Sequence, residues 1–177
     1  MAIQIGAKPD CGFDDPLGML KDCHRRIERF LHILCVVADT AAGRALTEEE
    51  IAAVQSALAY FRSGGQRHTE DEERSLFPRL RAGDACGQLV EMSGLIDDHS
   101  IANGLHWTVE KLYQAWMAGG FANPEDSGQL AAATLRLKRL YEAHIKIEEE
   151  IVFPRAAQVL SIDAVAAMGR EFRARRA

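Results

Sequence analysis

Two stretches of the chain repeat an unusual combination of reactive side chains. One reads HTEDEERSLFPRL and begins at His68, and the other reads HIKIEEEIVFPRA and begins at His144. Each has a Glu four residues after the His, at Glu72 and Glu148, and each then carries a Phe-Pro step. Residues four apart share one face of a helix, so each imidazole would point the same way as its carboxylate. Because imidazole and carboxylate together suit iron, manganese or zinc, each pair is a candidate for metal binding.

Two further histidines, His24 and His99, stand where an apolar helical stripe would have Leu. They are 75 residues apart, and the two His-x-x-x-Glu pairs are 76 residues apart. This near-repeat is what a two-metal site with internal two-fold symmetry would use. A single buried His is more often a hydrogen-bonded structural residue, and Glu72 alone would be a solvated charge in an acidic run. The combination of six residues favours a metal site over those simpler interpretations.

Four long amphipathic helices are predicted to position these residues. The first begins at Asp15-Pro16, a cap followed by Pro, and ends near Gly43. The second opens with a capping box at residues 47–50, and its apolar stripe keeps its phase across the Gly64-Gly65 pair, which favours one long helix.

The second half of the chain continues the pattern. The third helix is predicted to start between Cys86 and Gln88 and to run to about Met117, with Asn103 on its apolar stripe. The fourth starts at Asn123-Pro124, and its stripe continues through Glu148 to Ile151. A short fifth helix is predicted from Ser161, and residues 173–177 are expected to fray.

These elements predict an all-α, up-down-up-down four-helix bundle. We divide the chain into an N-terminal extension (1–13), the bundle (14–160) and a short C-terminal helix and tail (161–177). In such a bundle all four histidines lie within about one helical turn of a common level. The ligands expected to converge there are His24, His68, Glu72, His99, His144 and Glu148. Buried carboxylates need partners, and two metal ions would satisfy all six side chains. Ligand histidines must be neutral, so we expect metal loss below about pH 6.

Several neighbours of the six have more than one interpretation. For Glu73, Asp98 and Glu149 we favour surface charge over support of the ligands. Tyr141, one turn before His144, is either a hydrogen-bond donor near the site or a core aromatic. His106, about 10 Å along the axis from His99, is predicted to line the core or an access channel.

Composition narrows the classes of function. The net charge is −5, which gives no electrostatic basis for binding nucleic acid. No apolar run reaches the length of a membrane span, and the start of the chain lacks the pattern of a signal peptide.

The four cysteines, Cys11, Cys23, Cys35 and Cys86, form no CxxC motif, so we expect free thiols in the cytoplasm. For Cys23, beside His24, a packed thiol is favoured over a redox role, and His32 is predicted to lie on the surface.

At these residues the chain resembles the hemerythrin-like, or HHE cation-binding, family of bacterial four-helix bundles. The matching segments are DPLGMLKDCHRRIERFL, HTEDEERSLFPRL, DDHSIANGLHWTVEKL and HIKIEEEIVFPRA, which span roughly residues 14–160. The resemblance implies a non-haem di-iron centre with an oxo or hydroxo bridge. It also implies nitrogen ligands at the four histidines named above and bridging carboxylates at Glu72 and Glu148. Zinc or manganese is the alternative metal.

The chain departs from the oxygen-carrying hemerythrins at two positions. Asn103 stands where those proteins have a further His, and Glu148 stands where they have an Asp. Six ligands instead of seven argue against stable oxygen carriage. In this respect the chain is more similar to the bacterial proteins that repair iron centres after nitric oxide or oxidative stress. We expect the likeness to those proteins to be limited to the bundle, since the first fourteen residues are too few for their extra cysteine-bearing domain.

Three functions follow as hypotheses. The first is a di-iron protein that binds or senses oxygen, nitric oxide or a peroxide-derived species. The second is an enzyme that reduces peroxide or nitric oxide, or a protein that donates iron in repair. The third is a structural bundle holding zinc or manganese. The expected partners are a small diatomic or peroxide ligand and either an unidentified protein or a second copy of the chain, with neither nucleic acid nor membrane.

Overall fold

The structure is a computed structural model that describes residues 11–83, 91–119 and 124–177. Within these residues the chain is helical and contains no strand, which confirms the all-α prediction. The helices are α1 (Pro16–Thr40), α2 (residues 48–83), α3 (Glu91–Gly119), α4 (Pro124–Val159) and α5 (Ile162–Ala174). The predicted start of the third helix and the predicted cap at Asn123 lie outside the described residues.

The starts of α1 and α2 follow from local side-chain chemistry. The Asp15 carboxylate accepts a 2.9 Å hydrogen bond from the backbone N–H of Gly18, and Pro16 is the first helical residue. At α2 the Thr47 hydroxyl accepts from the N–H of Glu50, while the Glu50 carboxylate accepts from the N–H of Thr47. Between the two helices Gly43 has a φ of 85°, a conformation that Gly adopts without strain.

Turns of π-helix interrupt α2 and α4 without breaking them. In two of them a Phe N–H donates to the carbonyl five residues earlier, from Phe77 to Glu72 and from Phe153 to Glu148. The three π segments are Phe61–Gly65, Glu72–Leu76 and Glu148–Val152. The Gly64-Gly65 pair lies in the first of them, so the prediction of one continuous second helix is confirmed.

The repeated Phe-Pro step explains two of these π turns. In a regular α-helix a Pro lacks the N–H for its bond and its ring clashes with the carbonyl four residues earlier. For Pro78 that carbonyl belongs to Arg74, and for Pro154 it belongs to Glu150. Both carbonyls lie inside a π segment, where the wider turn relieves the clash.

The sequence prediction was wrong about two positions on the apolar stripes. Ile151 was expected to be buried, but it is 43% exposed and Val152 is fully buried instead. The reason is the π turn, which accommodates an additional residue and moves the apolar face one position along. On α3, Asn103 is exposed and Ala102 faces the core, so the amide stays in water, where it needs no buried partner.

The four long helices form a ring in which α1 and α3 each lie between α2 and α4. Two separate apolar clusters fill this bundle. One extends from Ile27 on α1 to Trp116 on α3, and the other lies around Leu76, Phe77 and Phe153. The level between the clusters is polar, and it is there that the candidate ligands lie.

Helix α5 follows α4 after a bend of 120°. It is capped by the Ser161 hydroxyl, as predicted, and it buries Met168 and Phe172 in the second apolar cluster. The expected fraying of the C-terminal residues is wrong for Arg175 and Arg176, whose guanidinium groups pair with a buried carboxylate on α2. Within the described ranges no single helix has the length and apolarity to cross a membrane, although α4 and α5 taken together as a bent pair meet that test of length and composition.

Candidate metal centre

Six polar side chains meet in the middle of the bundle, one or two from each long helix. They are His24 on α1, His68 and Glu72 on α2, His99 on α3, and His144 and Glu148 on α4. All are buried, and the most exposed of them, His99, is only 5% accessible. The predicted convergence of these residues is therefore present in the fold.

Four of the six form the first group of possible ligands. One donor atom from each of His24, His68, Glu72 and Glu148 lies within 4.8 Å of all the others. The His24 Nε2 atom is 3.1 Å from Glu148 Oε2, and the His68 Nε2 atom is 3.2 Å from Glu72 Oε1. The His24 and His68 rings are neighbours, with centroids 4.9 Å apart.

A second group consists of Glu72, His99 and His144, whose donor atoms satisfy the same 4.8 Å limit. Glu72 belongs to both groups and uses a different oxygen in each, because its Oε2 atom is 3.4 Å from His99 Nε2. Glu148 Oε2 is also 3.4 Å from His144 Nε2. Both carboxylates therefore lie between two pairs of imidazoles, which is the placement of a bridging ligand.

The donor atoms of this cluster form no hydrogen bonds within the protein, although the imidazoles and carboxylates lie close enough for charge pairing. Eight buried side-chain nitrogen and oxygen atoms in the described residues have no hydrogen bond, and every one belongs to these six side chains. They include both oxygens of Glu72 and both of Glu148. Buried polar groups are rarely left unpaired, because desolvation without a partner costs about 1–3 kcal/mol and more for a charged group. A bound cation would satisfy all of them except the outward Nδ1 atom of His68.

Three of the histidines are held from outside by carboxylates. His24 Nδ1 is 2.8 Å from Glu149, and His99 Nδ1 is 2.7 Å from Glu73. A carboxylate that accepts from Nδ1–H leaves the Nε2 lone pair directed inward, the arrangement that supports metal-binding histidines. His144 Nδ1 has a longer contact of 3.4 Å with Asp98.

Our preference for surface charge at Glu73, Asp98 and Glu149 was therefore wrong. The internal repeat contained a signal for two of them, because Glu73 and Glu149 are 76 residues apart, like the candidate ligands. Each follows a candidate bridging Glu by one residue and contacts a His on a neighbouring helix. Successive residues of a helix are rotated by about 100°, so Glu73 and Glu149 were expected to point away from the buried face. At the edge of that face, however, a flexible Glu side chain still reaches the His on the neighbouring helix.

The ionisable groups of the cluster shift each other strongly. Burial would lower the pKa of His24, but Glu148 and Glu72 outweigh it and raise that pKa to about 10. The pKa of His99 rises to about 9 for the same reason, against burial and through Glu72 and Glu73. Burial opposes ionisation of Glu72, yet His68, His24 and His99 hold its pKa well below the usual value. The neighbouring carboxylates therefore favour the protonated form of His24 and of His99.

His68 differs from the other three histidines, because its Nδ1 atom has no hydrogen-bond partner. The Cys23 thiol is its neighbour, and this thiol also accepts a 3.2 Å hydrogen bond from Arg26. Burial raises the pKa of Cys23, while His68 and Arg26 lower it, and the net direction is down. Cys23 is a packed, buried thiol, as favoured from the sequence.

A cavity of about 570 Å³ lies beside the cluster, between α2 and α3. Its lining includes Gly65, Asn103, His106 and Tyr141, all within two turns of a candidate ligand. His106 Nε2 and the Tyr141 hydroxyl share a 3.0 Å hydrogen bond, and burial lowers the pKa of His106 to about 4, so this ring is neutral. His106 was predicted to line the core or an access channel, and it is a half-buried residue in the lining of this cavity. His32 is exposed, as predicted.

Comparison with known proteins agrees with this geometry. An uncharacterised protein of Haemophilus influenzae is 27% identical to the chain over 169 residues, which cover 93% of this chain and 91% of the relative. The family model described as the hemerythrin HHE cation binding domain matches residues 15–156. That match contains all six clustered residues and the four bundle helices except the last three residues of α4, and the chain belongs to the hemerythrin HHE cation-binding family.

Proposed function

We propose that this chain is a non-haem di-iron protein that binds, senses or reacts with oxygen, nitric oxide or peroxide. The observation that carries the proposal is the set of buried donor atoms without partners, which lies where two groups of imidazole and carboxylate share Glu72. This mixed nitrogen and oxygen donor set suits iron, with manganese and zinc as alternatives.

Each His pair is assigned to one ion. His24 and His68 would hold the first, His99 and His144 the second, and Glu72 and Glu148 would be shared between them. An iron pair supplies reversible electron transfer and a coordination position for a small ligand. Glu149, Glu73 and Asp98 hold the outer nitrogens of three imidazoles, which would orient the inner nitrogens towards the ions.

The burial of the site limits what it can receive. Since none of the six residues is more than 5% exposed, a ligand must be about the size of a diatomic molecule or a peroxide. The cavity at Gly65 and Asn103 is the candidate approach. Asn103 is exposed and directs no donor inward, so it would add no seventh protein ligand beside His99.

The missing seventh ligand also favours a second candidate function. An ion with fewer protein ligands is more reactive, which supports an enzyme that reduces nitric oxide or peroxide, or a protein that repairs iron centres under nitrosative or oxidative stress. No described residue distinguishes these reactions from simple binding, so the choice depends on reactivity.

Metal analysis and spectroscopy test the proposal together. Protein made in iron-replete cells should contain about two iron ions per chain. Absorption spectra of the reduced protein should then change on addition of oxygen, nitric oxide or peroxide. If the changed spectrum persists, the protein binds or senses the added ligand. If the spectrum returns to that of the starting protein while the ligand is consumed, the protein is an enzyme. One tightly bound zinc ion and no iron after reconstitution would exclude the di-iron assignment.

A further inference from the structure

A second buried carboxylate lies directly before the candidate ligand Glu72. Asp71 is fully buried but belongs to none of the metal-binding groups. Arg175 Nε donates to its Oδ1 atom at 2.7 Å, and Arg176 donates to its Oδ2 atom at 2.6 Å. Both oxygens of Asp71 are thus paired with guanidinium groups that follow α5.

The same C-terminal segment also contacts the π turn that begins at Glu72. Arg175 donates a 2.5 Å hydrogen bond to the buried hydroxyl of Ser75, and that hydroxyl donates to Glu171 on α5. Glu171 in turn pairs with Arg79 at 2.6 Å. Residues before, within and after the Glu72–Leu76 turn are therefore all tied to the C-terminal segment.

The internal repeat shows that these contacts are special to one half of the bundle. Seventy-six residues after Asp71 and Ser75, the chain has Ile147 and Ile151, which cannot form ion pairs. Ile151 is even 43% exposed. The two halves thus match in their candidate ligands, their Phe-Pro steps and their π turns, but within the described residues only the half with Glu72 is attached to the C-terminal segment by ion pairs.

We propose that Asp71, held by Arg175 and Arg176, is a positioning residue for Glu72. The C-terminal segment then helps to hold the Glu72 carboxylate where it binds metal. The inference rests on the proposed function, because it takes Glu72 as a ligand shared by both ions. The direction of the Glu72 side chain depends on the backbone of the π turn. Attachment on both sides of that turn holds the carboxylate in its bridging position.

Coupling of this kind acts in both directions. If the attachment of α5 stabilises the metal-binding position of Glu72, metal binding must stabilise the attachment of α5 by the same factor. Release of metal and release of the C-terminal segment are then linked.

The variants are chosen to remove the attachment without leaving an unpaired charge. The triple variant Asp71→Asn, Arg175→Gln, Arg176→Gln keeps the three side chains polar and neutralises all three groups. Arg173→Gln is the matched control, since Arg173 is exposed at the same helix end and lies over the Phe13 ring instead. Each protein is loaded with iron, and transfer to a coloured chelator is followed together with the absorption spectrum.

We expect the triple variant to lose metal about tenfold faster than the wild-type chain, the lower end of what supporting residues usually contribute. Its spectrum should also shift, because the Glu72 ligand changes position, while Arg173→Gln should match the wild type in both. Equal release rates and spectra for the folded triple variant would overturn the inference, and so would an equally large effect of Arg173→Gln.

A second measurement needs no variant. Amide hydrogen exchange in α5 of the wild-type chain should be slower with metal than without it, under conditions where α5 exchanges by local opening. Exchange that is the same in both forms would overturn the inference even if the triple variant did not fold. A wild-type chain that holds two ions and fails these tests overturns the positioning role alone, whereas one that takes up no metal overturns the proposed function itself.

Discussion

At the scale of single residues, the centre is defined by which nitrogen of each imidazole faces inward. All four rings direct Nε2 towards Glu72 or Glu148, and three of them bind a carboxylate through Nδ1. The inner and outer carboxylates therefore have separate tasks, since the inner pair lacks partners and the outer set fixes the rings.

Variants of three consecutive glutamates separate these tasks. Glu148→Ala should abolish the paired site and leave at most one ion per chain, because a shared carboxylate is lost. Glu149→Gln should retain two ions at saturating iron but bind them about 10–100-fold more weakly, since His24 Nδ1 loses its carboxylate. Glu150 is exposed in the same π turn, so Glu150→Ala should be unchanged.

Iron titration of all three variants under one protocol measures the stoichiometry and the affinity. Glu149→Gln with wild-type affinity would show that the outer carboxylates are solvated charges, as their position in the sequence first indicated.

The pH dependence of the metal-free protein follows from the shifted histidines. Raised pKa values of about 10 for His24 and about 9 for His99 contribute stability that is complete below the ordinary value of 6.5. This stability is lost as the pH rises through 9 to 10, and the lowered pKa of Glu72 causes a separate loss as the pH falls below about 4.5. Urea unfolding of metal-free protein should therefore show a lower free energy of unfolding at pH 10 than at pH 6.5.

The affinity for metal should rise with pH over the range in which the stability of the metal-free protein falls. Protons compete with metal for the imidazoles, so affinity should rise from pH 6.5 to 9, and the expected loss of metal near pH 6 moves to higher pH. His32→Gln, which changes an exposed ring, should leave both profiles unaltered. A metal-free protein whose stability increases from pH 6.5 to 10 would contradict the pairing of His24 with Glu148 and Glu72.

At the scale of helices, the π turns set which residues face the core. The widened turn after Glu148 lets Pro154 continue the helix, and it also moves burial from Ile151 to Val152. The corresponding turn starts at Glu72, so both candidate bridging residues stand at the first position of such a turn. The Phe-Pro repeat therefore affects the direction in which the Glu72 and Glu148 carboxylates point.

Serine substitutions at neighbouring positions test this register. Val152→Ser would place a hydroxyl in the second apolar cluster, where an unpaired polar group costs about 1–3 kcal/mol. Ile151→Ser changes a half-exposed side chain, and surface substitutions are usually within about 0.5 kcal/mol. Urea unfolding of both variants gives the comparison, and a larger loss for Ile151→Ser would indicate a regular α-helix at this point.

The helices and the convergence of the six candidate ligands were predictable because they depend on local patterns. Caps at Asp15 and Thr47 and the spacing of His68 and Glu72 are all readable within a few residues. The shift of burial at the π turns and the contacts of the outer carboxylates were not predictable, because a stripe of constant 3.6-residue period assumes a regular helix. The ion pairs of Arg175 and Arg176 were not predicted for another reason: their partner Asp71 is about a hundred positions away in the chain.

At the scale of the whole molecule, a polar layer divides the core into two apolar clusters. The layer gains no hydrophobic stabilisation, and without metal its carboxylates rely on protonated imidazoles. A cation that binds only the folded chain stabilises it by about 2.7 kcal/mol at a hundred times its dissociation constant.

Thermal melting with and without a chelator tests this dependence. The midpoint should fall when the metal is removed and should return when iron is added back. In Glu148→Ala the difference between the two forms should shrink, because the paired site is incomplete. Equal midpoints for the loaded and stripped wild-type chain would mean that the six residues do not meet on metal.

The contact between His24 and Glu149 spans 125 positions of sequence. A ribosome adds about 5–20 residues per second, so roughly 6–25 s pass between synthesis of the first and the last of these side chains. During that interval the nascent chain exposes His24, His68 and Glu72 without the residues that complete their surroundings. A metal captured early would be held by half a site, and the selection of the final cation must wait until the fourth helix has left the exit tunnel.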